Sequence, residues 1–138
     1  MKPEVQAYIR HRLSRAEEAL DEAKLLVEAG HLLTAVNRLY YACFYCVAAL
    51  LLTEGRRASK HSGVRALFDR FWVKAGRVSV ERGRFYRRMF DHRQKADYAD
   101  FVRFEPGEVA GWAEEAAAFV DEISGLVERL LRGECDDT

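Results

Sequence analysis

The sequence predicts an all-α fold, an up-and-down bundle of about five helices with the second helix buried at its centre. Two long segments carry apolar residues at steps of three and four, which places those residues on one face of a helix. A third segment, between these two, is apolar on every side, which is typical of a helix surrounded by other helices. No stretch shows the apolar–polar alternation of a half-buried strand.

The N-terminal part of the chain predicts the first two helices. Pro3 suits the first turn of a helix, and Gly30 is a natural stop at its end. The second helix is predicted from about Leu33 to Glu54, and residues 39–52 form an apolar run of 14 residues. Because a membrane span needs roughly 20 residues, this run predicts a core helix and no membrane span. The apolar stripe of the first helix comprises Ile9, Leu13, Ala16, Leu20, Ala23 and Val27.

Three more helices are predicted in the rest of the chain. A short third helix follows a polar loop at 56–61, and Ser79 is a suitable N-cap for the fourth. Residues 97–104 lack a helical period and are predicted to form a loop, after which Pro106 opens the fifth helix. We expect a single domain at 1–133 and an acidic tail at 134–138. The fifth helix carries the second regular stripe: Val109, Trp112, Ala116, Phe119, Ile123, Leu126 and Leu130.

Charge is strongly polarised along the chain although the formal net charge is zero. Residues 56–95 hold 13 Lys or Arg against three acids, a net of +10, and residues 105–138 hold 10 acids against two Arg, a net of −8. A basic block of this size is a candidate surface for RNA or nucleotides. The same pattern arises if the basic third and fourth helices simply pack beside the acidic fifth, and both interpretations remain open.

Several classes of function have no motif in the sequence. There is no Gly-rich phosphate loop, no His-Glu-x-x-His and no convincing pair of carboxylates, so kinases, metalloenzymes and ordinary hydrolases are not supported. Cys43 and Cys46 have the spacing of a redox or metal pair, but their apolar helix indicates two packed core residues. We expect no metal and no cofactor. Without a secretory signal at the N-terminus, the expected location is the cytoplasm.

Four short segments, taken in order, resemble the HEPN family of small helical domains. They are Asn37-Arg38-Leu39-Tyr40-Tyr41-Ala42, Ala48-Ala49-Leu50-Leu51, Ser59-Lys60-His61-Ser62-Gly63-Val64 and Arg93-Gln94-Lys95-Ala96-Asp97-Tyr98. The resemblance implies a bundle of four or five helices that forms a homodimer, with a minimal nucleotidyltransferase as a partner protein. It also implies that active members are metal-independent RNases in which an Arg is followed, after four to six residues, by a His.

The chain departs from that motif at the histidine. If Arg93 is the motif arginine, the positions where His is expected, 98–100, hold Tyr-Ala-Asp. Literal matches to the spacing occur at Arg56–His61 and Arg87–His92, but this composition gives about as many by chance. Arg87 and His92 also lie about 140° apart around a helix, so they would not share a face.

The altered motif gives the candidate catalytic residues Arg93, Asp97 and Tyr98, with His92 as the runner-up. In RNases of this kind a His acts as general acid or base on the 2′-hydroxyl, and an Arg stabilises the charge that builds on the phosphate. Arg38 is expected to be largely removed from solvent and paired, most simply with Asp97 or with another acid of the loop. The candidate nucleotide- or RNA-binding residues are the basic side chains Arg38, Arg84, Arg87, Arg88 and Lys95.

The first functional hypothesis is therefore a HEPN-domain protein with a binding or regulatory role in a nucleotide- or RNA-linked system. The alternative is a metal-independent, toxin-like endoribonuclease that uses Arg93 with Tyr98 or His92. A third hypothesis is a module whose polar groups only orient a dimer. The sequence leaves open whether the protein is an enzyme.

Overall fold

A computed structural model describes residues 1–133, and the acidic tail predicted at 134–138 lies outside the described residues. Within residues 1–133 there is no strand. The predicted all-α bundle is confirmed. Its elements are α1 at Pro3–Glu28, α2 at Leu32–Leu52, α3 at His61–Phe68, a π-helical segment at Asp69–Val73, α4 at Val80–Tyr98 and α5 at Pro106–Leu131.

Helix α2 lies at the centre of the bundle, where it packs against α1, α3, α4 and α5. By length and composition alone this helix could cross a membrane. However, 61% of its most apolar 18-residue stretch is buried inside the protein, as in a core helix. Burial is incomplete on one face, however, and the prediction of burial on all sides is wrong there. The partly exposed residues of that face are Tyr41, Phe44, Tyr45, Ala48 and Leu52.

The two cysteines of α2 are core residues, as their apolar surroundings predicted. Cys43 and Cys46 are both fully buried, and this burial raises the pKa of each thiol well above its ordinary value. Both side chains therefore stay protonated near neutral pH and pack as small apolar groups.

Helices α1 and α5 bury most of the stripes that their sequences predict, while Val27, Trp112 and Leu130 are only partly buried. Ile9, Ala23, Val109 and Phe119 are among the side chains with no exposed surface. Each helix has a proline in its first turn, where the missing N–H costs no hydrogen bond. These two regular helices clamp α2 and leave α3 and α4 to complete the remaining sides.

Helix α4 begins as predicted and ends later than predicted. The Ser79 hydroxyl accepts a hydrogen bond from the Arg82 N–H at 3.2 Å, which is a helix N-cap. At the other end α4 continues through Tyr98, so the predicted loop at 97–104 begins two residues too early. The reason is polar: Arg93 and Asp97 form an ion pair four residues apart at 2.9 Å, which supports the last turn without any apolar period.

Candidate functional site

A polar site forms where the N-terminal half of α2 meets the last turns of α4. Tyr41 follows Asn37 by one turn on α2, and Asp97 follows Arg93 by one turn on α4, so each pair shares a helix face. Arg93 Nε lies 2.9 Å from Asp97 Oδ2, and Arg93 Nη2 donates to the Tyr41 hydroxyl at 3.1 Å. With His61, described below, these residues are called the Arg93–His61 site. Its members are Asn37, Arg38, Tyr40, Tyr41, His61, Arg93, Asp97 and Tyr98.

Arg93 is the one charged side chain classed as buried among residues 1–133, with 9% of its surface exposed. A charge in that position needs partners, because desolvation alone would be costly. Asp97 supplies the counter-charge, and three aromatic rings lie within cation–π distance of the guanidinium. Arg93 Cζ is 5.3 Å from the Tyr40 ring, 5.4 Å from the Tyr41 ring and 5.8 Å from the Tyr98 ring.

Asn37 stands between the two arginines of the site. Its Nδ2 donates to both carboxylate oxygens of Asp97, at 3.2 and 3.0 Å, and its Oδ1 accepts from Arg38 at 3.1 and 3.0 Å. The predicted pairing of Arg38 with Asp97 is therefore wrong. Arg38 forms its ion pair with Glu22 of α1 at 3.4 Å, and its side chain is 23% exposed. The Asn37 amide already donates to both Asp97 oxygens, and the Arg38 guanidinium instead points towards α1.

His61 also belongs to this site, although it was not among the predicted site residues. It is the first residue of α3, and its Nδ1 lies 2.8 Å from the Tyr40 hydroxyl. Its ring stacks on Phe44 at 4.2 Å and lies 5.6 Å from the Tyr41 ring. The imidazole and the Arg93 guanidinium thus contact the same two tyrosines.

The surroundings of His61 keep its imidazole neutral. Partial burial and the positive charge of Arg93 lower the pKa of His61 below its ordinary value. A neutral imidazole near pH 7 can accept a proton, which a protonated one cannot. Burial raises the pKa of Tyr40, so this neighbour stays protonated as the hydrogen-bond partner of His61.

The position of His61 depends on a glycine in the same motif. A Cβ on Gly63 would lie 2.9 Å from the Cβ of Ala58, so only glycine lets the first turn of α3 approach the preceding loop this closely. The available signal was the segment 59–64, one of the four HEPN-like segments. The spacing from Arg56 does not single out His61, because the tyrosines that it contacts come from another helix, α2.

His92, the runner-up, is not brought together with Arg93. Its ring stacks on Trp112 of α5 at 4.0 Å and lies 6.0 Å from Phe104. Successive residues of an α-helix point about 100° apart, so Arg93 faces α2 while His92 faces α5. Burial, and then the charges of Lys95 and Arg88, lower the pKa of His92.

The predicted basic ligands are spread over several faces. Arg87 pairs with Asp69 at 3.0 Å and Arg88 pairs with Glu115 of α5 at 3.4 Å. Arg84 is exposed and lines a groove between α4 and the α3–π segment, and Lys95 is exposed near His92. Of the five predicted ligands, only Arg38 reaches the Arg93–His61 site. Part of the basic block is therefore neutralised by other elements, α5 included, as the alternative interpretation proposed.

The arrangement combines groups that recognise phosphate with a group that accepts protons. A guanidinium binds phosphate oxygens, phenol hydroxyls donate hydrogen bonds, and a neutral imidazole takes part in acid–base chemistry. Among residues 1–133 no three His, Cys, Asp or Glu side chains are grouped so that they could hold a metal ion.

The fold and the site define a small all-α domain whose polar residues converge from α2, the start of α3 and the end of α4. The chain belongs to the HEPN family, since the model of the HEPN domain matches residues 9–130. This match includes every residue of the Arg93–His61 site, and the resemblance inferred from four segments is confirmed.

The chain is similar to several proteins from other organisms. The chain is 50% identical over 129 residues to a "UPF0332 protein" of Thermotoga maritima, covering 94% of this chain and 98% of that relative. It is 36% identical over 131 residues to a "putative toxin" of Methanocaldococcus jannaschii, covering 95% and 94%. A second "putative toxin" of that archaeon is 30% identical over 128 residues, covering 91% and 87%.

Proposed function

We propose that this HEPN-domain protein binds RNA at the Arg93–His61 site and acts in a toxin-like system. The observation that carries the proposal is the placement of the His61 imidazole beside the buried Arg93 guanidinium, with both groups in contact with Tyr40 and Tyr41. A guanidinium is suited to phosphate oxygens, and an imidazole whose pKa is shifted by burial together with a specific charge is a candidate functional group. The names of the two archaeal relatives support a toxin-like role.

Binding is tested by a fluorescence titration with a generic single-stranded RNA across a range of salt concentrations. Because Lys and Arg contacts to phosphate release counterions, affinity should fall as salt rises. Arg93→Ala should weaken binding roughly tenfold, more than His92→Ala, since His92 faces α5. Arg82→Ala is the matched control, because Arg82 lies on the same helix and pairs with Glu122 of α5. Affinity that ignores both salt and Arg93 would defeat the proposal.

The second candidate function is metal-independent cleavage of RNA, and His61 is the observation that favours it. In the tautomer whose Nδ1–H donates a hydrogen bond to the Tyr40 oxygen, Nε2 of His61 has a free lone pair. This nitrogen would act as the general base for the 2′-hydroxyl. Arg93 would stabilise the negative charge that grows on the phosphate as the 2′-oxygen attacks. Tyr98, which is 72% exposed, would contact the RNA.

Cleavage is separated from binding by one variant on a gel. His61→Gln keeps a polar side chain of similar size but cannot exchange protons near pH 7, so cleavage in the presence of EDTA should fall roughly 100-fold or more. Binding should change little, because the Arg93 contact remains. His92→Gln is the matched control and should cleave at the unaltered rate. If His61→Gln and His92→Gln reduced the rate of cleavage equally, His61 would not be the general base.

The partners follow from the family membership and are part of the proposal. We expect a cytoplasmic homodimer that associates with a minimal nucleotidyltransferase. Co-expression of the chain with the product of a neighbouring nucleotidyltransferase reading frame, followed by size-exclusion chromatography, tests this expectation. Co-elution would support it, and separate elution at micromolar concentrations would contradict it.

A further inference from the structure

A groove runs along the partly exposed face of α2 away from the Arg93–His61 site. It lies between α1, α2 and the loop before α3, and its volume is about 420 Å³. We call it the α1–α2 groove. Its lining includes Tyr8, Arg12, Phe44, Leu52, Arg56 and Arg57.

The groove is continuous with the site through its aromatic side chains. Phe44 lines the groove and also stacks on His61, with ring centroids 4.2 Å apart. Tyr45 lies beside the groove and is 5.7 Å from Tyr41, whose hydroxyl binds Arg93. A linear ligand bound at His61 could therefore extend into the groove by passing over Phe44.

The arginines of this face differ from those of α4 in their partners. Arg12 donates to the Tyr8 hydroxyl at 3.1 and 2.7 Å, and Arg15 donates to the Tyr45 hydroxyl at 3.3 Å. Arg57 is exposed. Within the described part of the chain, none of Arg12, Arg15 and Arg57 forms an ion pair with a carboxylate. Phenol partners fix the direction of a guanidinium and leave its charge uncompensated.

We propose that the α1–α2 groove binds single-stranded RNA that extends from the Arg93–His61 site, an inference that rests on the proposed function. Proteins that bind single strands combine a positively charged groove with aromatic faces on which bases stack. Tyr8 is 46% exposed, and Tyr45 and Phe44 are partly exposed. The Arg12 guanidinium lies over the Tyr8 and Tyr45 rings, 5.2 and 5.6 Å from their centroids, so bases and phosphates would meet aromatic and cationic groups side by side. Duplex RNA is a poorer ligand, because its bases are already stacked on one another.

The charge of the groove also favours RNA over a second copy of the chain. In a two-fold interface the same patch lies on both sides, so Arg12 and Arg57 would face an equally positive surface. The nearby acid Glu54 is already bound to Arg56 and Arg77. Glu18 and Glu22, which attract Arg15, lie further along α1, where Glu22 binds Arg38.

The experiment compares a dinucleotide, a decanucleotide and a duplex of the same sequence as ligands of the full chain. The decanucleotide should bind at least tenfold more tightly than the dinucleotide or the duplex, because only it fills both the site and the groove. Arg12→Ala should weaken decanucleotide binding several-fold and reduce the slope of log affinity against log salt by about 0.7, the loss of one phosphate contact on a single strand. Dinucleotide binding should not change.

Arg10→Ala is the matched control, since Arg10 lies two residues away on α1 and pairs with Glu128 of α5 at 2.7 Å. If the Arg12→Ala variant bound the decanucleotide as tightly as the unaltered chain, the proposed role of the groove would be wrong. The proposed role of the Arg93–His61 site would be unaffected. If the unaltered chain bound none of the three RNAs, both the groove and the Arg93–His61 site would be rejected as RNA-binding sites. Arg12→Ala that instead changes the oligomeric state, with no effect on RNA, would show that a second copy occupies the groove.

Discussion

At the scale of single residues, the molecule separates two histidines that the sequence does not distinguish. His61 and His92 each follow an arginine by five residues, and both are half-buried among aromatic rings. Only His61 meets a polar partner, the Tyr40 hydroxyl, and the charge of Arg93. Spacing along the chain could not reveal this difference, because it depends on which helix each side chain faces.

The lowered pKa values of His61 and His92 predict a stability that depends on pH. In the folded chain the pKa of each histidine lies below the ordinary 6.5, so the unfolded chain takes up more protons as pH falls. Stability should therefore be complete above about pH 6.5 and decline as pH falls through the lowered pKa values. Urea unfolding between pH 8 and pH 5 measures the decline. The His92→Phe variant should reduce it, and an unchanged slope would contradict the burial argument.

At the scale of elements, the sequence predicts the five α-helices of residues 1–133 but not the π-helical segment, and it ends α2 two residues late, at Glu54. Polar contacts and close packing account for two other boundaries, the end of α4 and the start of α3. The stripes of α1 and α5 are long and regular, so local pattern and packing agree. The last turn of α4 is held by Arg93, Asp97 and Asn37, and the start of α3 by the approach of Gly63 to Ala58. Both depend on a residue from another segment, which a local pattern does not contain.

Two glycines inside helices predict opposite effects of the same substitution. A Cβ on the buried Gly83 of α4 would lie 2.9 Å from Val73 Cγ2 in the π-helical segment, whereas a Cβ on Gly111 of α5 would meet nothing within 4 Å. Gly111→Ala should stabilise the chain by about 0.5–1 kcal/mol through helix propensity. Gly83→Ala gains the same helix propensity, but overpacking against Val73 costs about 1–3 kcal/mol, so this substitution should be neutral to destabilising. Thermal unfolding of the two variants tests the contact, and equal stabilisation would show that α4 and the π segment are loosely packed.

At the scale of the whole molecule, the fold followed from composition and pattern, but the site followed only in part. The predicted residues Arg93, Asp97 and Tyr98 lie close together, and Arg38 contacts them through Asn37. The basic block does not form one surface, since Arg87 and Arg88 turn to acids on different elements. Net charge over a segment says nothing about which carboxylates the fold places opposite it.

The exposed apolar side chains near the end of α4 predict where a dimer forms. Tyr98 is 72% exposed, Phe101 is fully exposed, and Leu33 is 42% exposed beside the 99–105 loop. Exposed apolar surface of this kind is typical of an interface with another protein. We expect a homodimer that buries roughly 1,200–2,000 Å² and includes this patch, so that two Arg93–His61 sites lie close together. Light scattering should show a dimer at micromolar concentrations and a monomer for Phe101→Asp, and a monomeric unaltered chain would contradict the expectation.

The most direct test of the central claim is the NMR signal of the His61 ring during titration with a short single-stranded RNA. The account predicts that the His61 resonance shifts and that its pKa rises, because a phosphate beside the imidazole favours the protonated form. The rings of His92, packed on Trp112, and of the exposed His31 serve as internal controls and should not move. RNA binding that shifts His92 or His31 and leaves His61 unchanged would contradict the assignment of the Arg93–His61 site.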